Sequence, residues 1–282
     1  MNYNNEFQTI DTQEKAYFLG LMYADGYISN TDYSLGVVLH NKDEELIFKL
    51  QEVFPFLRIT RGKNNCIRLL RSNKLMWNHL YSNGLFPRKS YENKENLQFP
   101  YFLHKELYSH FVRGFFDGDG SVFKQKVGNI KIELGGVGYT FITQLLKYLF
   151  DNKVKLNITI SYSGEGNRKQ DYYKIYTSSA IESLKFRDLI YKDDCISMNR
   201  KKEFFYAIPE YKNLEDYQKR ILDKPRINCI NCQSSNTMYN GIRQMKNSLK
   251  YRLYCNDCKR GYSVTAPVSS NINSGEDELL ES

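Results

Sequence analysis

The sequence lacks any apolar run approaching the ~20 residues of a membrane span, and its polar N-terminus lacks a signal peptide's apolar region. The expectation is a soluble, intracellular protein with no membrane partner. Histidine is scarce. His40, His79, His104 and His110 have no mutual spacing that suggests a shared metal. An acidic excess is missing too: 40 Lys+Arg against 32 Asp+Glu leave a net charge of +8, which favours a polyanionic partner without identifying it. There is also no splicing-type Cys or Ser at the start and no His-Asn at the end, which argues against an intein. Apolar material is abundant. With 41% hydrophobic residues, 23 Tyr and 17 Phe over 282 positions, disorder throughout is excluded and one large domain or two to three smaller ones are expected.

The charge is uneven. Residues 217–266 carry ten Lys/Arg against Asp223 and Asp257, a balance of +8, while the tail from Pro267 carries four acids. The cationic stretch also holds four of the six cysteines, as Cys229-Ile-Asn-Cys232 and Cys255-Asn-Asp-Cys258, two C-x₂-C knuckles 22 residues apart. That spacing reads as a structural Zn²⁺ site, because four thiolates leave no open position for water. Two disulfides are the competing reading and would need an oxidising compartment. The stretch resembles the zinc ribbons of transposase-like and other DNA-associated proteins. Its Arg243, Lys246 and Arg252 are candidate DNA contacts, with a protein partner as the alternative. Cys66 and Cys195 stand apart and are expected as buried small apolar residues.

Two other stretches share one pattern. Tyr17-Phe-Leu-Gly-Leu-Met-Tyr-Ala-Asp-Gly26 aligns without a gap on Phe111-Val-Arg-Gly-Phe-Phe-Asp-Gly-Asp-Gly120. Each reads as an apolar helix with a glycine, a small residue four positions later, and Asp-Gly at its end. Glycine inside a helix costs about 1 kcal/mol relative to alanine, so its presence needs a reason. Gly20 and Ala24, or Gly114 and Gly118, share one helix face, and a face that small admits a second backbone. Gly26 and Gly120 are expected in the left-handed position after a helix. Asp25 and Asp119 then sit at the unfavourable end of each helix dipole. Packed in parallel, the helices would bring the carboxylates together, and a hard divalent cation such as Mg²⁺ would resolve the repulsion.

Along the chain, helices are expected near 14–25, 43–54 and 73–82, with strands at 26–29, 34–40, 57–61 and 66–71. The order repeats with helices near 104–119, 139–151 and 179–190 and strands at 121–126, 130–134, 155–162 and 171–177. This is an internal duplication: an α+β domain, αββαββα twice over, with halves 1–100 and 101–212, followed by a linker or helix at 213–226, the small four-cysteine zinc ribbon at 227–266 and an acidic tail at 267–282. Cations on the strands (Arg58, Arg61, Arg68, Arg71, Lys124, Lys126, Lys131, Lys174) suit two faces that could form a saddle along a DNA groove.

At Val112-Arg-Gly-Phe-Phe-Asp-Gly-Asp-Gly120, and more loosely at the first copy, where Tyr23 holds the first acidic position, the sequence resembles the LAGLIDADG homing endonucleases. Gly84-Leu-Phe-Pro-Arg-Lys-Ser90 and Leu97-Gln-Phe-Pro100 extend the resemblance to the single-chain, two-motif members. It implies a pseudo-twofold monomer that cuts double-stranded DNA at a long site, as in intron homing, with Asp25 and Asp119 on the metals. Some members also have a catalytic basic residue just after the second strand of each half, which polarises the attacking water or the scissile phosphate. Lys42 stands there in the first half, and Leu134-Gly-Gly-Val-Gly138 offers no lysine in the second. The same fold without catalysis, as a maturase or transcriptional regulator, is the alternative. The residue bias suggests an AT-rich bacterial, phage, viral or organellar genome.

Overall fold

The computed structural model describes residues 3, 5–124, 130–163, 170–192, 195–206, 227–245 and 248–267. The chain divides into two compact units, 1–218 and 219–282. The 164–166 loop, the 213–226 linker, the tail from 268, Lys126 and Lys246 lie outside the described residues.

In the first unit, α1 (Gln13–Ala24) begins where Thr12 Oγ1 accepts the Lys15 amide at 3.3 Å, with Glu14 favouring the positive end of the dipole. Ala16 through Tyr23 are all buried. A helix apolar on every side is a core rod and not a surface helix. It feeds directly into β1 (Gly26–Ile28), antiparallel to β2 (Ser34–His40). Then follow α2 (Glu44–Val53), β3 (Arg58–Arg61), β4 (Cys66–Ser72) and α3 (Lys74–Ser82), whose first turn is capped by Asn73 Oδ1 on the Met76 amide at 2.9 Å.

The second half repeats this series with α4 (Tyr108–Asp119), β5 (Ser121–Lys124), β6 (Ile130–Gly136), α5 (Tyr139–Asp151), β7 (Asn157–Ser163), β8 (Gln170–Thr177) and α6 (Ala180–Ile190). The two sheets have the same order, β1-β2-β4-β3 and β5-β6-β8-β7. Helices α2 and α3 pack on the first sheet, and α5 and α6 on the second. An unexpected α7 (Asn199–Tyr206) follows and packs against β5 and α6.

Two sequence expectations need correction. The second motif helix starts at Tyr108, because residues Lys105–Leu107 form a separate 3₁₀ turn. Nor is either Asp-Gly glycine left-handed: Gly120 has φ −82°, and Gly26 is the first residue of β1. Space is what demands glycine here. A Cβ on Gly26 would stand 2.4 Å from Met22 Cα, and one on Gly120 2.2 Å from the Phe116 ring.

The second unit is a three-stranded antiparallel sheet of β9 (Thr237–Gln244), β10 (Ser248–Cys255) and β11 (Gly261–Pro267), in the order β11-β10-β9. Tyr251, Leu253 and Tyr262 pack with Cys229 and Cys255 into its small core.

Candidate active site

Helices α1 and α4 meet at backbone distance. A Cβ on Gly114 would stand 2.0 Å from the Tyr17 carbonyl oxygen, and one on Gly20 2.0 Å from that of Phe111. Tyr17 and Phe111 are 94 residues apart (111 − 17), as are Gly20 and Gly114 (114 − 20), so the contact reproduces itself under the duplication. Further on, a Cβ on Gly118 would stand 2.3 Å from that of Ala24 and 3.2 Å from an Asp25 carboxylate oxygen. The contacts advance in the same direction on both rods. The helices are therefore parallel, and Asp25 and Asp119 come together at their C-terminal ends.

Asp25 is half-buried, and water reaches Asp119, but both are hemmed in by protein. Burial raises the Asp25 pKa against the pull of Lys201 and Lys89. Burial, and then the Asp25 charge, push Asp119 up to about 6. Two ammonium groups hold the helix ends. Lys89 Nζ donates to the carbonyls of Ala24 (3.0 Å) and Gly26 (2.7 Å). Lys201 Nζ donates to those of Phe116 (2.8 Å), Asp117 (2.7 Å), Gly118 (3.2 Å) and Gly120 (2.6 Å). Both side chains are buried. Burial lowers both pKa values, that of Lys201 to about 8, while the neighbouring carboxylates work in the opposite direction. Cations at helix C-termini also meet the negative end of the dipole.

No family model and no curated protein matches the chain. Among solved structures it is similar to the LAGLIDADG meganuclease I-AabMI bound to uncleaved DNA (14% identity, TM-score 0.44, covering 73% of this chain and 91% of that one). It is also similar to I-SmaMI bound to cleaved DNA (14%, 0.45, 75% and 97%) and to variants of the homing endonuclease I-DmoI (14%, 0.42, 64% and 96%). At this level of identity and superposition the likeness assigns no activity, and what the site can do rests on its own residues.

The first acid of the α4 motif has a different part. Asp117 is fully buried and accepts from Tyr17 Oη (2.8 Å), Tyr191 Oη (2.7 Å) and the Met198 amide (2.7 Å). Nearby, buried Arg113 donates to the carbonyls of Ile190 (3.0 Å) and Ile196 (2.9 Å). These bonds fasten the segment before α7 to α4 and so deliver Lys201. On the other side of α7, Arg200 makes a two-pronged bond to buried Asp43 (2.6 and 3.1 Å) at the start of α2. Lys42 itself is exposed in the 3₁₀ turn Asn41–Asp43, its amide donating to His40 Nδ1 at 3.1 Å.

Strand register sorts the arginines. Arg58 and Arg68 lie with Thr60 on the open face of the first sheet. Arg61 lies opposite buried Ile67, and Arg71 opposite buried Leu35, which places both on the helix-covered face. Arg61 pairs with Glu44 of α2 at 2.9 Å, and Arg71 donates to the Phe56 carbonyl at 2.9 Å. The expected four-arginine face is thus corrected to two, because residues three apart on a strand point to opposite sides. On the second sheet, Lys131 and Lys174 share the open face with Glu133, and Lys124 is exposed at the end of β5. In the second unit, Arg252 is exposed and Arg243 pairs with Lys250 in the ladder.

The four ribbon cysteines converge, with all Sγ atoms within 4.8 Å of one another. Cys229 and Cys258 lie 3.6 Å apart, as do Cys232 and Cys255, too far for a disulfide and close to the edge of a tetrahedral thiolate cage. Each knuckle closes on a left-handed residue, Gln233 (φ 61°) and Lys259 (φ 57°). Asp257, accepting from Ser234 and Asn236, ties one knuckle to the other. The donor set fits zinc. Cys66 and Cys195, expected to be buried, are only half-buried.

Proposed function

We propose that this chain is a site-specific endonuclease that hydrolyses both strands of a DNA duplex with Mg²⁺, one copy supplying both acids. The observation that carries the reading is the meeting of Asp25 and Asp119 at the ends of two parallel helices packed backbone to backbone. Helix termini of that polarity repel carboxylates, and among the described residues neither acid has a bidentate cationic partner. The donors are hard oxygens, open to water, in a site whose acids are both pushed toward protonation. That environment fits a divalent ion of the magnesium class. When bound there, the cation would polarise the scissile phosphodiester and activate water.

The protein's own residues set the geometry. Asp25 and Asp119 would hold the cations, each acid serving one strand. Lys89 and Lys201 fix the last turn of each helix and keep positive charge beside the acids, where phosphate charge grows during hydrolysis. Arg58, Arg68, Lys131 and Lys174 lie on the open sheet faces, available to duplex phosphates and base edges. The ribbon, with Arg252 exposed, would extend the footprint. Lys42, exposed in the turn just after β2, would act as the further basic group of the first half.

Selection of cleaved duplexes from a random library with Mg²⁺ tests this reading. The wild-type chain should enrich one long site. Asp119→Asn should abolish cutting, with binding to that site retained within about threefold, since the acid holds metal and makes no base contact. Binding without cutting by the wild-type chain would instead favour a catalytically silent regulator or maturase.

A further inference from the structure

Glu133 is an acid on a face that would otherwise be cationic. Alternation along β6 buries Ile130, Ile132 and Leu134 under the helices and turns Lys131 and Glu133 to the open side. Register brings Lys174 to the same side, opposite Gly135 and Thr159. Glu133 Oε2 accepts from Lys174 at 3.2 Å, and Oε1 pairs with Lys131. The side chains remain 15%, 34% and 23% exposed for Glu133, Lys174 and Lys131. Each ammonium has three hydrogens and each carboxylate oxygen two lone pairs, so all three groups keep hydrogen-bonding capacity toward solvent. The triplet presents donor, acceptor, donor and carries a net positive charge.

Only one kind of base pair complements that order in the major groove. A·T presents acceptor, donor, acceptor: adenine N7, adenine N6 amino, thymine O4. G·C presents N7 and O6 acceptors before the cytosine amino group, so guanine O6 would face the carboxylate. We propose that Lys131, Glu133 and Lys174 read one A·T pair through the major groove, with Glu133 rejecting G·C at that step. The inference rests on the nuclease reading for its DNA partner.

Among the described residues the first half has no equivalent. Gly36, flanked by Tyr27 and Leu70, occupies the register position that Glu133 occupies between Ser121 and Tyr176. Arg68, flanked by Val38 and Thr60, stands where Lys174 stands. An arginine without the central acceptor does not exclude guanine, whose O6 and N7 it can bind. The demand for A·T therefore belongs to one half-site, and the target is not a palindrome.

The full-length chain and its Glu133→Ala variant are each used to select duplexes from the random library. The wild type should favour A·T or T·A over G·C by about tenfold or more at one position of one half-site, the discrimination a good base contact provides. The variant should lose that preference there and keep it elsewhere. An unchanged preference overturns the inference. So does a uniform rise in affinity for all sequences, which is what a residue that merely neutralises the two lysines would give. A wild-type chain that selects no duplex overturns the nuclease reading and this inference with it.

Discussion

Lys89 and Lys201 make the same contact on opposite helices. Lys89 Nζ binds the carbonyls of residues 24 and 26, and Lys201 Nζ those of residues 118 and 120, positions that correspond under the 94-residue repeat (118 − 24, 120 − 26). The lysines themselves do not correspond. Lys89 comes from the connector after α3, and Lys201 from α7 after α6. The duplication thus preserves the position of the charge, although the residues that supply it are 112 positions apart (201 − 89).

Replacing Lys201 by Met keeps much of the side-chain volume and removes the charge beside both acids. Cutting should fall by at least about tenfold, by analogy with the loss of a group that stabilises developing charge. Four carbonyls lose their shared donor as well, so the melting temperature should drop. Lys201→Arg separates the two effects: it restores charge without the compact ammonium that fits among the four carbonyls. Single-turnover cleavage read beside thermal melting distinguishes a catalytic loss from a folding loss. Full cutting by Lys201→Met would remove this lysine from the site.

The close approach of the rods predicts an unusual sensitivity at Gly114. In an ordinary exposed helix, Gly→Ala would stabilise by about 1 kcal/mol. Here the new methyl would lie 2.0 Å from the Tyr17 carbonyl oxygen and 2.9 Å from the Leu21 amide nitrogen, backbone atoms that cannot step aside. The rods must separate, and overpacking of this kind costs about 1–3 kcal/mol or more. Urea denaturation should show Gly114→Ala destabilised. A neutral or stabilising result would contradict the packing.

Much of this was legible in advance for a physical reason. Gly20 and Gly114 are costly in a helix unless a backbone approaches, so their repetition revealed the paired rods. The alternating strands gave the two sheets, and the knuckle spacing gave the ribbon. Which charges are buried was not legible. Lys89 stands beside Arg88, and Lys201 between Arg200 and Lys202; nothing in such runs says which member turns inward. Asp117 and Asp119 look alike in the motif, yet one is sealed by two tyrosines and the other reaches water. Arg61 and Arg71 went to the covered face because register, and not composition, decides a strand residue's side. The short, polar α7 buries only Lys201 and Phe205, and one of that pair is a lysine, so its sequence shows no clear apolar period.

The ribbon predicts a local response to metal removal. Its small core contains two of the four cysteines, Cys229 and Cys255, and a module of this size draws much of its folding free energy from the ion. A thiol-selective chelator should release about one zinc per chain and abolish amide protection in β9–β11. Protection in α1 and α4 should persist, because those helices belong to a separate unit with its own core. Hydrogen exchange followed by mass spectrometry reads both units in one experiment. Loss of protection in α1 together with the ribbon would contradict the independence of the two cores.

The acid pair predicts a pH dependence whose sign follows from the direction of the shifts. In metal-free protein Asp119 should titrate near pH 6, above its ordinary 3.8. Across that interval the folded chain holds a proton that the unfolded chain has released. Folding stability from this group is therefore greatest at low pH and declines as pH rises from about 4 toward 6. Because the Asp25 charge is one cause of the shift, Asp25→Asn should lower the Asp119 midpoint. Bound Mg²⁺ should lower it further, since a cation favours the ionised form. Carboxyl-carbon NMR can follow Asp119 directly in each state. A midpoint that stays near 6 in Asp25→Asn would mean that the two carboxylates do not sense each other, and the shared acidic site would fail with it.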